Sequence, residues 1–122
     1  MRLTPPEVDR IASFRTIDIT TIGRRSGTPR RLEIWWFRFN ERFIISGTPG
    51  RRDWVANLKA DPTLTVHVDG MDLPATAREL TDPDFRREFF TSSAASWYAS
   101  QAQLERLVEE APMIEVVFSP EG

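Results

Sequence analysis

Ile19-Thr20-Thr21-Ile22-Gly23-Arg24-Arg25-Ser26-Gly27-Thr28-Pro29-Arg30-Arg31 sets the frame for the chain. An alternating β-branched run enters a Gly-Arg-Arg-Ser-Gly turn. The chain leaves through Pro29 into a second run, Leu32-Glu33-Ile34-Trp35-Trp36-Phe37. Alternation of this kind reads as two strands, and glycines at 23 and 27 permit the positive φ a tight connection needs. Arg24, Arg25, Arg30 and Arg31 then crowd one end of a strand pair. Ser26 and turn backbone N–H groups add donors, so the pattern suits an anion receptor.

The chain has 122 residues, which predicts a single domain spanning 1–122 with a core of its own. It has no cysteine, which excludes disulfides, thiol catalysis and cysteine metal sites. No apolar run approaches the roughly 20 residues of a membrane helix, and Met1 to Pro6 lack the apolar block of a signal peptide. A cytoplasmic protein is expected. The net charge of −2 hides an asymmetry: residues 1–52 hold 11 arginines against 5 acids, and residues 53–122 hold 5 bases against 13 acids. Fifteen of the 16 basic residues are arginine, whose planar fork suits phosphate and carboxylate. The acidic half would repel a duplex, so a small polyanion is a better partner than nucleic acid.

Thr4-Pro5-Pro6-Glu7 predicts a capped helix start with a short apolar face at Val8, Ile11 and Ala12. Strand one runs over Phe14–Ile22 and strand two from about Arg31 to Phe39. Strand two carries apolar residues on both faces, which predicts either a central strand or one facing a ligand. Asn40-Glu41 turns into strand three, Arg42–Ser46. After the glycine-rich Gly47-Thr48-Pro49-Gly50 comes a helix to Ala60, with Trp54, Val55 and Leu58 on one face and Asp61-Pro62 as its stop. Thr63–Val68 is strand four, and Asp69-Gly70 is a strong hairpin signal into strand five, Met71 to about Leu80. Thr81–Asp84 caps a helix with Phe85, Phe89 and Phe90 turned inward. Ser100–Gln103 reads as a second capping box before Leu104, Leu107 and Val108, and Met113–Phe118 is strand six. Six antiparallel strands with flanking helices predict a small closed or split barrel, mainly β, in which closure would remove edge strands.

Two constellations carry chemistry. The first joins the Gly23–Arg31 turn to the Ser46–Arg52 loop, giving Arg24, Arg25, Arg30, Arg51 and Arg52 as a phosphate or carboxylate clamp. The competing reading is two solvated hairpin ends. Neither Walker loop nor dinucleotide glycine fingerprint is present. The second is the aromatic set Trp35, Trp36, Trp54, Trp97 and Tyr98, with one of Trp35 and Trp36 facing away from the core. His67 is the lone histidine, on a solvent-facing strand position, and with no cysteine it makes a metal site improbable. Asp53 and Asn57, one helical turn apart, are positioned to contact a ligand or simply to start a helix. With no nucleophile, metal or acid–base pair in evidence, the chain fits a protein whose cofactor supplies the chemistry.

Thr20–Arg30, Ile45-Ser46-Gly47 and Asp53–Pro62 together resemble the deazaflavin-dependent nitroreductase family over roughly residues 15–80. The resemblance implies a Greek-key split barrel that binds coenzyme F420 and passes hydride to quinones, nitroaromatics or other activated unsaturated acceptors. It also implies that Arg24, Arg25, Ser26, Gly27 and Arg30 hold phosphate and acidic tail. Ser46, Gly47 and Thr48 would approach ring and phosphate, Arg51 and Arg52 would replace the lysine-containing glycine loop of well-known members, and Trp54, Asn57 and Leu58 would pack beside the cofactor. Trp97 and Tyr98 stand where those members use tyrosines near the acceptor, so they are the catalytic candidates. An FMN-dependent oxidoreductase and a non-catalytic flavin, haem or fatty-acyl binding protein are the rival functions. Exposed barrel faces lead to the expectation of a homodimer.

Overall fold

The computed structural model describes residues 3–119. It opens with helix α1 (Pro5–Ala12), whose capping box forms as expected: Thr4 N donates to Glu7 Oε1 at 2.9 Å and Glu7 N donates to Thr4 Oγ1 at 3.4 Å. The helix buries Ile11 completely under the barrel. Seven strands follow: β1 (Thr16–Ile22), β2 (Pro29–Trp35), β3 (Phe37–Phe39), β4 (Arg42–Ser46), β5 (Thr63–Val68), β6 (Met71–Glu79) and β7 (Met113–Phe118). Helix α2 (Asp53–Ala60) lies between β4 and β5. A helical layer, α3 (Pro83–Thr91), a 3₁₀ turn at Ser93–Ala95, α4 (Ser96–Gln101) and α5 (Leu104–Glu110), lies between β6 and β7.

The strands form one antiparallel sheet in the order β2-β1-β5-β6-β7-β4-β3. Side chains alternate across a sheet, so one parity fills the barrel. Ile17 faces Ile34, Ile19 faces both Leu32 and Val66, Val66 faces Leu73, and Phe43 faces Val116. Burying each such side chain contributes about 1.5–3 kcal/mol. The opposite parity of β3, β4 and β7 is also apolar, and the helical layer covers it. Phe37, Ile44 and Met113 pack there with Phe89, Phe90, Tyr98 and Leu107 as a second core. The sheet is thus a curled half-barrel flanked by helices, mainly β as the alternation predicts.

Three expectations need correction. Among the described residues there are seven strands, because the second run divides at Trp36. Its N–H donates to Arg15 O (3.0 Å), its indole Nε1 donates to Phe14 O (2.8 Å), and its ring stacks on Phe43 with centroids 4.3 Å apart. Tied to the residues just before β1, Trp36 pulls the backbone out of the ladder. Of the two forms expected for strand two, the central one does not hold: β2 is an edge strand with mostly exposed residues, its Arg30, Arg31 and Leu32 line a groove, and the strand covered on both faces is β4. Two edges, β2 and β3, therefore persist; the sheet curls without closing its hydrogen-bond ladder. Finally, α5 begins after Gln103 with no side-chain cap, so the second capping box does not form. The Asp69-Gly70 turn takes left-handed φ values of 53° and 73°, matching the hairpin signal.

Candidate cofactor site

The arginine turn is a closed loop. Gly23 N donates to Thr28 O (2.9 Å), Gly27 N donates to Gly23 O (2.8 Å), Thr28 N donates to Ser26 Oγ (3.2 Å), and the Ser26 and Thr28 hydroxyls share a 2.7 Å hydrogen bond. Gly27 uses the left-handed region, with φ at 71°. Gly23 is needed for space, because a Cβ there would lie 2.6 Å from Ser26 Oγ. The Ser26 hydroxyl is thereby spent within the turn.

Helix α2 braces this turn from the barrel side. Its inner face buries Trp54, Asn57 and Leu58, with Val55 only half-buried. Asn57 Oδ1 accepts from the Arg24 backbone N–H (3.1 Å) and from Arg24 Nη1 (2.9 Å), and Asn57 Nδ2 donates to Thr21 Oγ1 (3.3 Å). Exposed Asp53 reaches Arg24 Nη2 at 3.4 Å. The loop before α2 is organised by Arg52. Its Nη1 donates to Thr48 O (2.5 Å) and Gly50 O (3.2 Å), and its Nη2 donates to Thr48 Oγ1 (3.0 Å). A Cβ on Gly47 would meet the Arg52 guanidinium carbon at 3.2 Å, so this glycine lets the arginine lie flat on its own loop.

The expected clamp therefore divides. Arg31 pairs with Asp18 (2.8 Å) on the outer face of the sheet, Arg52 staples a loop, and Arg24 is pre-oriented by Asn57. Arg25, Arg30, Arg51 and Lys59 make no ion pair among the described residues. Two grooves use them. The first, about 710 Å³ at the barrel mouth, is lined by Thr21, Arg24, Arg25, Ser26, Arg30, Leu32, Arg52, Trp54 and Asn57 among others. The second, about 1080 Å³, lies between α2 and α5. It presents Arg25, Arg51 and Lys59 on one side and Glu79, Glu109 and Glu110 on the other, and it meets the first at Arg24, Arg25, Arg52 and Asp53. The turn and the Arg51-Arg52 end of the loop after β4 do converge, as the clamp reading requires.

Other expected residues lie elsewhere. The Ser46 hydroxyl donates to Pro112 O (2.6 Å) toward the helical layer, the Thr48 hydroxyl serves Arg52, and Leu58 belongs to the barrel core. Gly27 and Gly47 line neither groove. Trp97 and Tyr98 also line neither; they belong to an aromatic cluster beside the junction of β2 and β3. Trp97 is 50% exposed and meets Trp35, 37% exposed, edge-on at 5.6 Å, while Trp36 is core. Tyr98 is buried against Phe37, Phe90 and Trp97. Arg15 lies over the Phe37 ring at 4.7 Å and the Trp35 ring at 5.9 Å. Burial pushes the Tyr98 phenol above its ordinary pKa, against a smaller downward pull from the charges of Arg15 and Arg52. The phenol stays protonated at neutral pH.

His67 is on the outer sheet face, yet its side chain is only 15% exposed. Thr20 Oγ1 (2.6 Å) and Asp72 Oδ1 (2.7 Å) hold its two nitrogens, away from both grooves. Among the described residues no cluster of acids and histidines could hold a metal, and no helix is long and apolar enough to cross a membrane. Two buried polar residues escaped the sequence reading. Thr21 shares the inner parity of Ile17 and Ile19, a signal that was available. Arg86, buried on α3, donates through Nε to Val108 O (2.6 Å) and through Nη1 to Leu80 O (2.9 Å), and Nη2 reaches Leu107 O (3.4 Å) and Ala111 O. Its signal is a lone charge within the Phe85/Phe89/Phe90 face.

Several solved structures share this fold. One solved structure, described as an F420-H2 dependent reductase, is 27% identical, with a TM-score of 0.63 over 84% of this chain and 93% of the other. Another, described as a domain-swapped dimer, is also 27% identical, with a TM-score of 0.63 over 84% of this chain and 79% of that one. An FAD-binding protein from Mesorhizobium loti, 14% identical with a TM-score of 0.68 over 96% and 91% of the two chains, shares the fold. The sequence profile of the F420H(2)-dependent quinone reductases matches residues 2–113. Matched over nearly its whole length, the chain belongs to the F420H(2)-dependent quinone reductase family, oxidoreductases whose cofactor is coenzyme F420.

Proposed function

We propose that this protein reduces quinones at the expense of reduced F420, with nitroaromatics and other activated unsaturated compounds as further acceptors. The observation that carries the reading is the barrel mouth, where Arg25 and Arg30 stand without acidic partners beside a pre-oriented Arg24 and the Trp54 ring. Unpaired guanidinium groups next to an aromatic wall fit a ligand with an anionic arm and a flat ring. Arg24, Arg25 and Arg30 bind the phosphate. The carboxylate tail leaves past Arg25 into the second groove, where Arg51 and Lys59 meet it and the opposite acidic wall keeps it on the α2 side. Trp54 packs beside the cofactor, and Asn57, Arg52, Gly47 and Thr48 shape the loop and turn around it.

When bound, reduced F420 supplies hydride, that is, two electrons with one proton's mass. A quinone accepting that hydride still needs one proton to become a hydroquinone. Trp35 and Trp97 offer an exposed aromatic platform for the acceptor. The protonated Tyr98 phenol is the side-chain donor held there, with water as the alternative source. A homodimer belongs to this reading, supported by the dimeric relative.

Turnover tests it directly. Purified protein given reduced F420 and menadione should consume the reduced cofactor and release hydroquinone in equal amounts. No oxidation across a panel of quinones and nitroaromatics would contradict the proposal.

A further inference from the structure

Asn57 is 4% exposed on the inner face of α2, and its side chain is committed to the protein. Both lone pairs of Oδ1 are spent on one residue, since they accept the Arg24 backbone N–H at 3.1 Å and Arg24 Nη1 at 2.9 Å. Backbone and guanidinium of Arg24 are thereby tied to a single atom, which fixes the turn and its side chain together. Nδ2 anchors the arrangement on Thr21, which is fully buried and lies opposite Arg30 in the β1–β2 register. One buried amide thus links α2, the arginine turn and the strand pair that carries a second cation of the mouth. Asp53, the other contact of the same guanidinium, is 92% exposed at 3.4 Å and holds it only loosely.

We infer that Asn57 is a positioning residue that holds the Arg24 guanidinium in place for the cofactor's phosphate and acts on binding through Arg24 alone. The inference rests on the proposed phosphate site. A long side chain already held in its binding rotamer loses less freedom when the anion arrives. Burial makes the arrangement demanding: with the amide removed, the Arg24 N–H and guanidinium lose their partner and the turn is free to shift.

A double-mutant cycle on the full chain tests this, with F420 and its phosphate-free deazaflavin–ribitol fragment as ligands in fluorescence titrations. Asn57→Ala and Arg24→Ala should each weaken F420 binding roughly tenfold. In the Arg24→Ala background, Asn57→Ala should cost no more than about twofold, because only its bonds to the residue-24 backbone N–H and to Thr21 remain to be lost. The affinity for the phosphate-free fragment should not change in either variant, and turnover at saturating cofactor should keep its kcat while KM for F420 rises. Asn57→Asp keeps the acceptor oxygen for Arg24 and should remain within about threefold of the parent. If Asn57→Ala does not fold, Asn57→Leu, which keeps the side-chain volume and removes both polar atoms, serves the same cycle, its effect on F420 affinity shrinking in the same way when Arg24 is absent. Additive losses, an unchanged affinity in Asn57→Ala, or equal weakening of the fragment would overturn the positioning role. An unchanged F420 affinity in Arg24→Ala would overturn the phosphate site itself, and the positioning role with it.

Discussion

The arginine mouth and the aromatic edge are built in opposite ways. At the mouth, Asn57 and Thr21 hold Arg24 by directional bonds, Gly23, Ser26 and Thr28 close the turn on itself, and Arg52 staples the neighbouring loop. At the edge, Trp35 and Trp97 meet edge to face and stay partly exposed, and Trp97 packs edge-on against Tyr98, which in turn packs against Phe37. Directional bonds specify one ligand geometry, whereas ring contacts tolerate many. The proposed function assigns the first kind of surface to the cofactor and the second to flat acceptors.

The largest expected effect comes from undermining what the aromatic edge stands on. Arg86 holds α3 to the carbonyl end of α5, and burial holds its pKa below the usual guanidinium value. Arg86→Met removes the guanidinium donors from the Leu80, Val108 and Ala111 carbonyls and should cost roughly 3 kcal/mol or more in urea unfolding. A loss under about 1 kcal/mol would show that the helical layer does not depend on that charge. Arg30→Ala attacks the other region. Removing a charge-assisted contact should weaken F420 by about 1.5–3 kcal/mol with little change in stability. Unchanged affinity would remove Arg30 from the site. Trp97→Ala separates the two regions cleanly: the acceptor KM should rise by the equivalent of about 0.5–1.5 kcal/mol while F420 affinity stays the same. If F420 affinity falls instead, the ring itself lies on Trp97.

The smallest effect is electrostatic. Arg87 hydrogen-bonds Glu105 and lowers its pKa from the ordinary 4.5, bracing α3 against α5. A carboxyl with a depressed folded pKa adds stability above its unfolded value and loses it as pH falls through the folded one. Glu7, Asp61 and Asp69 are depressed in the same sense, by Thr4, Thr63 and Arg10 respectively. The melting temperature should therefore hold steady above about pH 5 and decline below roughly pH 4.5. Arg87→Ala should flatten part of that decline, and an identical pH profile in the variant would show that the Glu105 pair contributes nothing.

Much of the fold was legible because its signals are local. Alternation located the inner faces of β1 and β5, the Thr4/Glu7 box marked α1, and Asp69-Gly70 marked its hairpin. The division of strand two was not legible, since it depends on Trp36 finding the carbonyls of Phe14 and Arg15, and periodicity cannot report a tertiary bond. Which strand is covered on both faces was not legible for a related reason. Apolar residues on both faces of β2 include Trp35, which ends at a surface cluster, whereas β4 is covered only because the helical layer returns over it. In the site, residue types pointed to an anion clamp, but partner choice was invisible. Nothing in the spacing of Arg24, Arg25, Arg30, Arg31 and Arg52 tells that Asp18 takes Arg31, or that Arg52 folds back on Thr48 and Gly50.

The most direct test compares F420 with its phosphate-free deazaflavin–ribitol fragment on the parent protein and on Arg30→Ala. If the mouth anchors the phosphate, the parent should bind F420 at least about tenfold more tightly than the fragment, and Arg30→Ala should remove most of that preference. Equal affinities in the parent, or a preference untouched by Arg30→Ala, would contradict it.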